Sequence, residues 1–290
     1  MIGIIDIGSN SIRLMIAENS QSIISKELDV ARLGEGLVNT GRLKMEKMEV
    51  ASSIVETYVN KARNAGATKV FVYATEAVRV ASNRDEFMNM VYKKTGVHIH
   101  LIPNTLEAKL GFSGAYSGDS DLAVVDIGGA STEITVGDST NIKYSKSLPI
   151  GCVRMRDRCG EDDDKIAAYI DEMLPQYGNI PSVNRVCFVA GTASIVVTMK
   201  LKMEVWDADK VTGQHISLVD LDEQIYKVMS TPMEERQNIV GLPASKIDVV
   251  YQGMLLIRAI LGMLKLDEFY FSDSDSLEGY AKYLEENNLI

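Results

Sequence analysis

The 290-residue chain reads as an α/β protein built from two similar α/β domains facing one another across a cleft, and three observations predict it. Short apolar stretches alternate with segments of helical periodicity along the whole length. An apolar strand followed by Asp-Ile-Gly and a small residue occurs at Asp6 and again at Asp126, 120 residues further on. A cluster of small polar residues, Ser117-Gly118-Asp119-Ser120, interrupts the chain just before the second copy. The predicted domains are residues 1–117 and 118–290, with the last helix free to pack back on the first domain.

Residues 2–5 form a short apolar strand, with 13–17 as a hairpin partner. The glycines and asparagine of 34–41 make a loop. From 44 to 64, Met48, Ala51, Val55, Tyr58 and Ala62 recur at helical spacing, and Gly66 ends the helix. Residues 70–73 are a buried strand. A helix opens at Asn83 or Arg84 and runs to Gly96. The strand 97–102 is stopped by Pro103, and Thr105 is placed as the N-cap of a helix reaching about residue 116. The second half repeats the scheme. It has a strand at 122–125, a hairpin of 132–136 with 142–146 around Gly137-Asp138, a helix at about 161–174, and a strand at 185–189. Gly191-Thr192-Ala193 leads into a helix. A long helix at about 247–264, a strand at 269–271 and a helix at about 276–286 close the chain.

Thirty basic and forty acidic residues give a net charge of −10, which argues against a general nucleic-acid binder. A phosphate-rich ligand would then need local basic groups and a divalent cation. No apolar run approaches the roughly 18 residues of a membrane span. The start, Met1-Ile2-Gly3-Ile4-Ile5-Asp6, has no signal-peptide pattern. Cys152, Cys159 and Cys187 are odd in number and lack CxxC spacing, as expected of free thiols in a reducing cytoplasm. His98, His100 and His215 are too scattered for a zinc site.

In an open α/β sheet, ligands bind at the carboxyl ends of the strands, where Asp6 and Asp126 would both stand. Glycine after each aspartate lets backbone N–H groups approach a phosphate without a Cβ in the way. Ser9, Asn10 and Ser131 add side-chain donors, and each aspartate is suited to Mg²⁺, which takes few protein carboxylates together with phosphate oxygens. Arg154, Arg156 and Arg158 share one face if extended, which fits an anionic channel and equally a solvated edge.

The two loops resemble the phosphate loops of the actin, sugar kinase and heat-shock ATPase superfamily. The wording is similar to one branch, the exopolyphosphatase and guanosine pentaphosphate phosphohydrolase (Ppx/GppA) family. The segments that carry the likeness are Asp6 to Arg13, Ala74 to Asn83, Leu106-Glu107-Ala108, Asp126 to Glu133, Leu148 to Arg154, Gly191-Thr192-Ala193 and Val211-Thr212-Gly213. The resemblance covers nearly the whole chain and matches the short, two-domain form.

It implies actin-like (ribonuclease H-like) domains and Mg²⁺-dependent removal of terminal orthophosphate from polyphosphate or guanosine pentaphosphate. By the same resemblance, Glu107 activates the attacking water and Glu133 helps to position that water or the metal. Asp6 and Asp126 are the Mg²⁺-associated aspartates. Ser9, Asn10, Gly128, Gly129, Ala130 and Ser131 form the phosphate cradle, and Arg79 is a cationic contact. A homodimer is implied too. Read from spacing alone, Glu107 also suits the favourable first turn of a helix, Glu133 a solvent-facing strand position, and Arg79 an ordinary surface.

Three positions depart from the family pattern. Ala130 replaces a glycine, a costly change of about 1 kcal/mol if the position needs φ > 0. Thr212 stands where histidine is common, and Leu277 precedes Glu278-Gly279 where arginine is usual, a lost cation that bears on long-chain binding. Two other function classes fit the sequence: a kinase or ATPase of the same superfamily, and a non-catalytic module that senses a phosphorylated alarmone.

Overall fold

In the computed structural model, which describes residues 1–116, 121–138 and 141–290, β1 (Ile2–Ile7) is buried along its whole length. Its alternation explains this. Ile5 and Ile7 face one hydrophobic cluster, while Ile2 and Ile4 face a second. Asp6 shares the face of Ile2 and Ile4. The interdomain cluster expected at 117–120 lies outside the described residues, as do residues 139 and 140 of the expected second hairpin.

Two compact units are found, Met1–Gly114 with Ser276–Ile290, and Ala115–Asp275. In the first, β1 pairs antiparallel with β2 (Ser11–Asn19), which pairs antiparallel with β3 (Ser22–Val30). Then come α1 (Leu37–Thr40), α2 (Met45–Asn64), β4 (Lys69–Ala74), α3 (Glu76–Val80), α4 (Arg84–Thr95), β5 (Ile99–Leu101) and α5 (Asn104–Ala115). β4 runs parallel to β1 and β5 parallel to β4, giving the order β3-β2-β1-β4-β5. α2 buries Met48, Ala51, Val55, Tyr58 and Ala62, the residues its periodicity singled out. It lies so close to β1 that a Cβ on Gly3 would stand 2.6 Å from that of Ala62.

The second unit repeats the plan. β6 (Leu122–Ile127), β7 (Thr132–Gly137) and β8 (Ile142–Leu148) form the antiparallel set. They are followed by α6 (Cys152–Cys159), α7 (Asp163–Met173), β9 (Val186–Val189), α8 (Ala190–Lys200), α9 (Ala208–Val211), β10 (His215–Ser217), α10 (Leu218–Ser230), α11 (Val250–Leu264) and β11 (Glu268–Phe271). β9 runs parallel to β6, and the order is β10-β11-β9-β6-β7-β8.

The final helix, α12 (Ser276–Glu286), belongs to the first unit and covers the Ile2 and Ile4 face of β1. Leu277, at the position where a lost cation was noted, is 2% exposed among Leu110, Tyr280 and Leu284. It is therefore a core residue. Glu278 is buried and pairs with Lys26 of β3. Among the described residues no helix is long and apolar enough to cross a membrane.

Beyond β3, α3 and β10, which the sequence reading left out, further local readings change. Thr105 is inside α5, which begins at Asn104; the carbonyl of Pro103 takes the first N–H bonds, from Leu106 and Glu107. Residues 152–159 are helical, so Arg154 and Arg158 lie on one face and Arg156 on another. α10 went unread, although Ser217 and Asp220 form a complete capping box at its start.

Gly279 marks the tightest seat of α12. A Cβ there would stand 1.9 Å from the backbone oxygen of Leu110 on α5. Gly279→Ala is expected to lower stability by about 1–3 kcal/mol or more. Urea unfolding of the variant checks this, and an unchanged midpoint would refute the close packing.

Candidate phosphate-binding loops and catalytic residues

Each unit turns from its first to its second strand through one short loop, and the two loops are built alike. Gly8 donates its N–H to the carbonyl of Ser11 at 3.0 Å, and Gly128 donates to Ser131 at 3.0 Å. These bonds close the hairpins. Neither glycine has a positive φ. The fit around them is tight: a Cβ would stand 3.0 Å from the Ser11 oxygen in one and 3.2 Å from the Ser131 oxygen in the other.

The loop carbonyls point into the protein. Ser9 O accepts from Gly34 N at 2.8 Å, and Asn10 O accepts from Ala31 and Arg32 at 3.0 and 2.8 Å. In the second unit Gly128 O accepts from Cys152 at 3.1 Å, and Gly129 O accepts from Val153 and Arg154 at 2.9 and 3.0 Å. Those three N–H groups are the otherwise unsatisfied donors of the first turn of α6. The backbone N–H groups of Ser9, Asn10, Gly129 and Ala130 find no acceptor among the described residues. Both loops thus turn negative dipole ends inward and leave donors outward, the polarity an anion requires. Ser9, Asn10 and Ala130 are exposed, and Ser131 is half-buried.

The acids at the loop mouths have different companions. Asp6 is 5% exposed, and its Oδ2 takes two hydrogen bonds from Arg13, directly opposite on β2 and bonded through Nε at 3.1 Å. Arg13 also donates to Ser276 Oγ at 2.8 Å, which Tyr73 reaches at 3.1 Å. The residue opposite Asp126 is Glu133, which occupies in β7 the place of Arg13 in β2. Two carboxylates on one face, with Cβ atoms about 4.5–5.5 Å apart in such a pair, repel unless a cation or proton lies between them. Ser147, opposite Glu133 on β8, donates its hydroxyl to Glu133 Oε1 at 2.5 Å. Tyr177 donates to Thr132 O at 2.7 Å, anchoring the start of β7. Burial, and next the charge of Glu133, pushes its phenol well above the ordinary range.

Among the described residues no three His, Cys, Asp or Glu side chains gather as a metal cage. The Asp126 and Glu133 pair fits Mg²⁺, which takes one or two carboxylates and fills its remaining positions with water and phosphate oxygens. Asp6 has its charge met by Arg13.

Glu107 stands in the first turn of α5 and is half-buried. Arg79, on α3, donates Nη1 to Glu107 Oε2 at 3.1 Å and to Ile102 O at 2.7 Å. Arg79, to which the family resemblance gives a phosphate contact, is thus joined to Glu107 through Nη1. In the segment Gly191-Thr192-Ala193, Thr192 Oγ1 donates to Ile127 O at 3.3 Å, tying α8 to the end of β6. Thr212 Oγ1 accepts from Asp273 N at 3.4 Å. The three cysteines are buried free thiols; burial raises all three, Cys187 to about 12, so none is poised as a nucleophile.

Arg13 and Ser147 were not singled out in the sequence. The signal for Arg13 was present, since it precedes Glu133 by the interval that separates Asp6 from Asp126.

Two repeated α/β units, each opening on a glycine-closed hairpin with an acid at its mouth, define a class of duplicated α/β proteins. Within that class, residues 14–286 match the Ppx/GppA phosphatase family, and the chain belongs to it. It is 29% identical, over 95% of its length, to a bifunctional 3-dehydroquinate synthase/phosphatase of Fusobacterium nucleatum, and that match covers 45% of the relative. Identity to exopolyphosphatase 2 of Mycobacterium tuberculosis is 27%, with 97% of each chain covered. A guanosine-5'-triphosphate,3'-diphosphate pyrophosphatase of Aeromonas salmonicida is 25% identical over 98% of this chain and 59% of its own. The chain therefore spans less than half of the first relative and about three fifths of the third. The solved Ppx/GppA family member of Aquifex aeolicus superposes with a TM-score of 0.87 over 99% of this chain and 98% of that one, at 24% identity, which is a likeness of fold.

Backbone angles settle the cost of Ala130. The described non-glycine residues with positive φ are Arg32, Ala190, Lys202, Lys265 and Asn288; Ala130 is not one of them. Ala130→Gly should therefore give no gain in stability, whereas Ala190→Gly, at φ 64°, should gain up to about 1 kcal/mol. Urea unfolding of the two variants checks the contrast, and equal gains would contradict it.

Proposed function

We propose that the chain is a phosphohydrolase that releases terminal orthophosphate from inorganic polyphosphate or from a guanosine pentaphosphate. The observation that carries this reading is the common polarity of the two loops, with carbonyls tied inward and the N–H groups of Ser9, Asn10, Gly129 and Ala130 unclaimed among the described residues. Relatives named exopolyphosphatase and guanosine-5'-triphosphate,3'-diphosphate pyrophosphatase support the substrate class. Polyphosphate is favoured, because the exopolyphosphatase is matched over nearly its full length.

In this reading the loops hold phosphate oxygens through backbone N–H groups and the hydroxyls of Ser9 and Ser131. Asp126 and Glu133 would hold Mg²⁺, which would supply positive charge to the phosphate oxygens. Ser147 fixes the rotamer of Glu133 through its hydrogen bond. Glu107, steadied by Arg79, accepts a proton from a water molecule. The water oxygen bonds to the terminal phosphorus as the bridging P–O bond breaks, and the bridging oxygen leaves on the shortened chain. Each turnover consumes one water and yields orthophosphate and a substrate one phosphate shorter. No covalent intermediate is needed, in keeping with the buried, high-pKa thiols.

The test is orthophosphate release from tripolyphosphate, long-chain polyphosphate, guanosine pentaphosphate and ATP, each with Mg²⁺ and with chelator. Release from one of the first three, dependent on Mg²⁺, is expected. Glu107→Gln should lower the rate by about 10²–10⁴-fold with an unchanged melting curve. An undiminished rate in that variant would remove Glu107 as the base, and transfer of phosphate from ATP to an acceptor would replace the hydrolase with a kinase.

A further inference from the structure

α6 carries three arginines within five residues, and the structure treats them differently. Arg156 is paired with Asp157 and Asp248. Arg158 is paired with Glu172 and stacks over the Tyr169 ring, 4.3 Å from its centroid. Both therefore have their charge met within the protein. Arg154 has no carboxylate partner among the described residues. Its side-chain contact is Nε donating to the backbone oxygen of Ala130, at 2.8 Å.

That contact puts a cation on the second loop. Ala130 O belongs to the peptide that joins Ala130 to Ser131, the loop's hydroxyl donor. The backbone N–H of Arg154 is bonded to Gly129 O at 3.0 Å, so the residue is held to the loop at both its main chain and its side chain. A guanidinium has five N–H donors. One is used by Ala130, which leaves the four on Nη1 and Nη2, and the side chain is exposed. An exposed arginine oriented through Nε keeps its Nη groups for a second, anionic acceptor. In a chain of net charge −10, an arginine tied to a phosphate-type loop and not to an acid stands out as a ligand group.

We propose that Arg154 is a phosphate-chain contact of the second loop, binding the non-bridging oxygens of a polyphosphate through Nη1 and Nη2 while Nε holds the Ala130 carbonyl. This rests on the phosphohydrolase reading above. Arg156 and Arg158, neutralised by carboxylates, do not share the role.

The experiment measures tripolyphosphate affinity by calorimetry with divalent cations chelated, and KM and kcat for tripolyphosphate with Mg²⁺. It compares the unsubstituted chain with Arg154→Ala, Arg154→Gln, Arg154→Lys and Arg158→Ala. Arg154→Ala and Arg154→Gln are expected to weaken binding and raise KM by about tenfold, with kcat less affected. Arg154→Lys should recover most of the loss, and Arg158→Ala should match the unsubstituted chain. A role confined to holding the Ala130 carbonyl would give a different order, with glutamine performing as well as lysine, and that order would overturn the proposal. Unchanged affinity in Arg154→Ala would overturn it too, while leaving the phosphohydrolase reading intact if phosphate is still released. Failure of the unsubstituted chain both to bind and to cleave tripolyphosphate would overturn both.

Discussion

The hydrogen bond from a glycine N–H to the serine carbonyl three residues on, made once in each unit, is the constraint on which the rest of the site depends. It closes the turn between the first two strands and fixes which way the loop peptides face. A backbone of that kind carries one donor and one acceptor per residue, and both must be satisfied or solvated. Here the acceptors are met from behind, by residues 31–34 in one unit and by the first turn of α6 in the other. The donors are left to face outward. The same bond brings the serine oxygen close to where a Cβ on Gly8 or Gly128 would stand, so tight packing, and not a left-handed φ, is what the repeated glycine answers to.

The duplication is close in backbone and divergent in charge. At the position directly opposite the loop aspartate, one unit has Arg13 and the other has Glu133. The first pair neutralises itself and joins a buried polar network with Ser276 and Tyr73. The second concentrates negative charge and, with Ser147 in the adjacent strand, forms a row suited to a divalent cation and water. One exchange of charge at a shared register position thus gives the two repeated loops different electrostatic surroundings. The Mg²⁺ proposed above is placed on the second pair. Arg154 then adds positive charge to the same loop from the side of α6.

Much of the fold was legible because its signals are local. Strands β1, β4 and β6 are unbroken apolar runs, α2 shows its buried face at helical spacing, and the repeated Asp-Ile-Gly marked the duplication. Other features depend on partners distant in sequence. Whether residues 152–159 are extended or helical turns on the loop carbonyls that cap the helix, and these lie more than 20 residues upstream. Leu277 reads as a missing cation in a motif, yet its neighbours in space are Ile2, Ile4 and Tyr280, which make it core. That Arg79 is paired with Glu107 depends on α5 bringing the two together. α10, whose capping box is written in Ser217 and Asp220, was missed despite a local signal, and β3 went unread as well.

In the proposed phosphohydrolase, outward-facing backbone N–H groups of the two loops bind phosphate. Backbone amide NMR of the ¹⁵N-labelled chain, titrated with tripolyphosphate, tests it most directly. The amide protons of Ser9, Asn10, Gly129 and Ala130 should move downfield together and saturably, because each gains a charged acceptor. Those of Gly8 and Gly128, already bonded to Ser11 and Ser131, should move far less. Saturable binding that leaves the four loop amides unshifted would contradict phosphate binding by these loops.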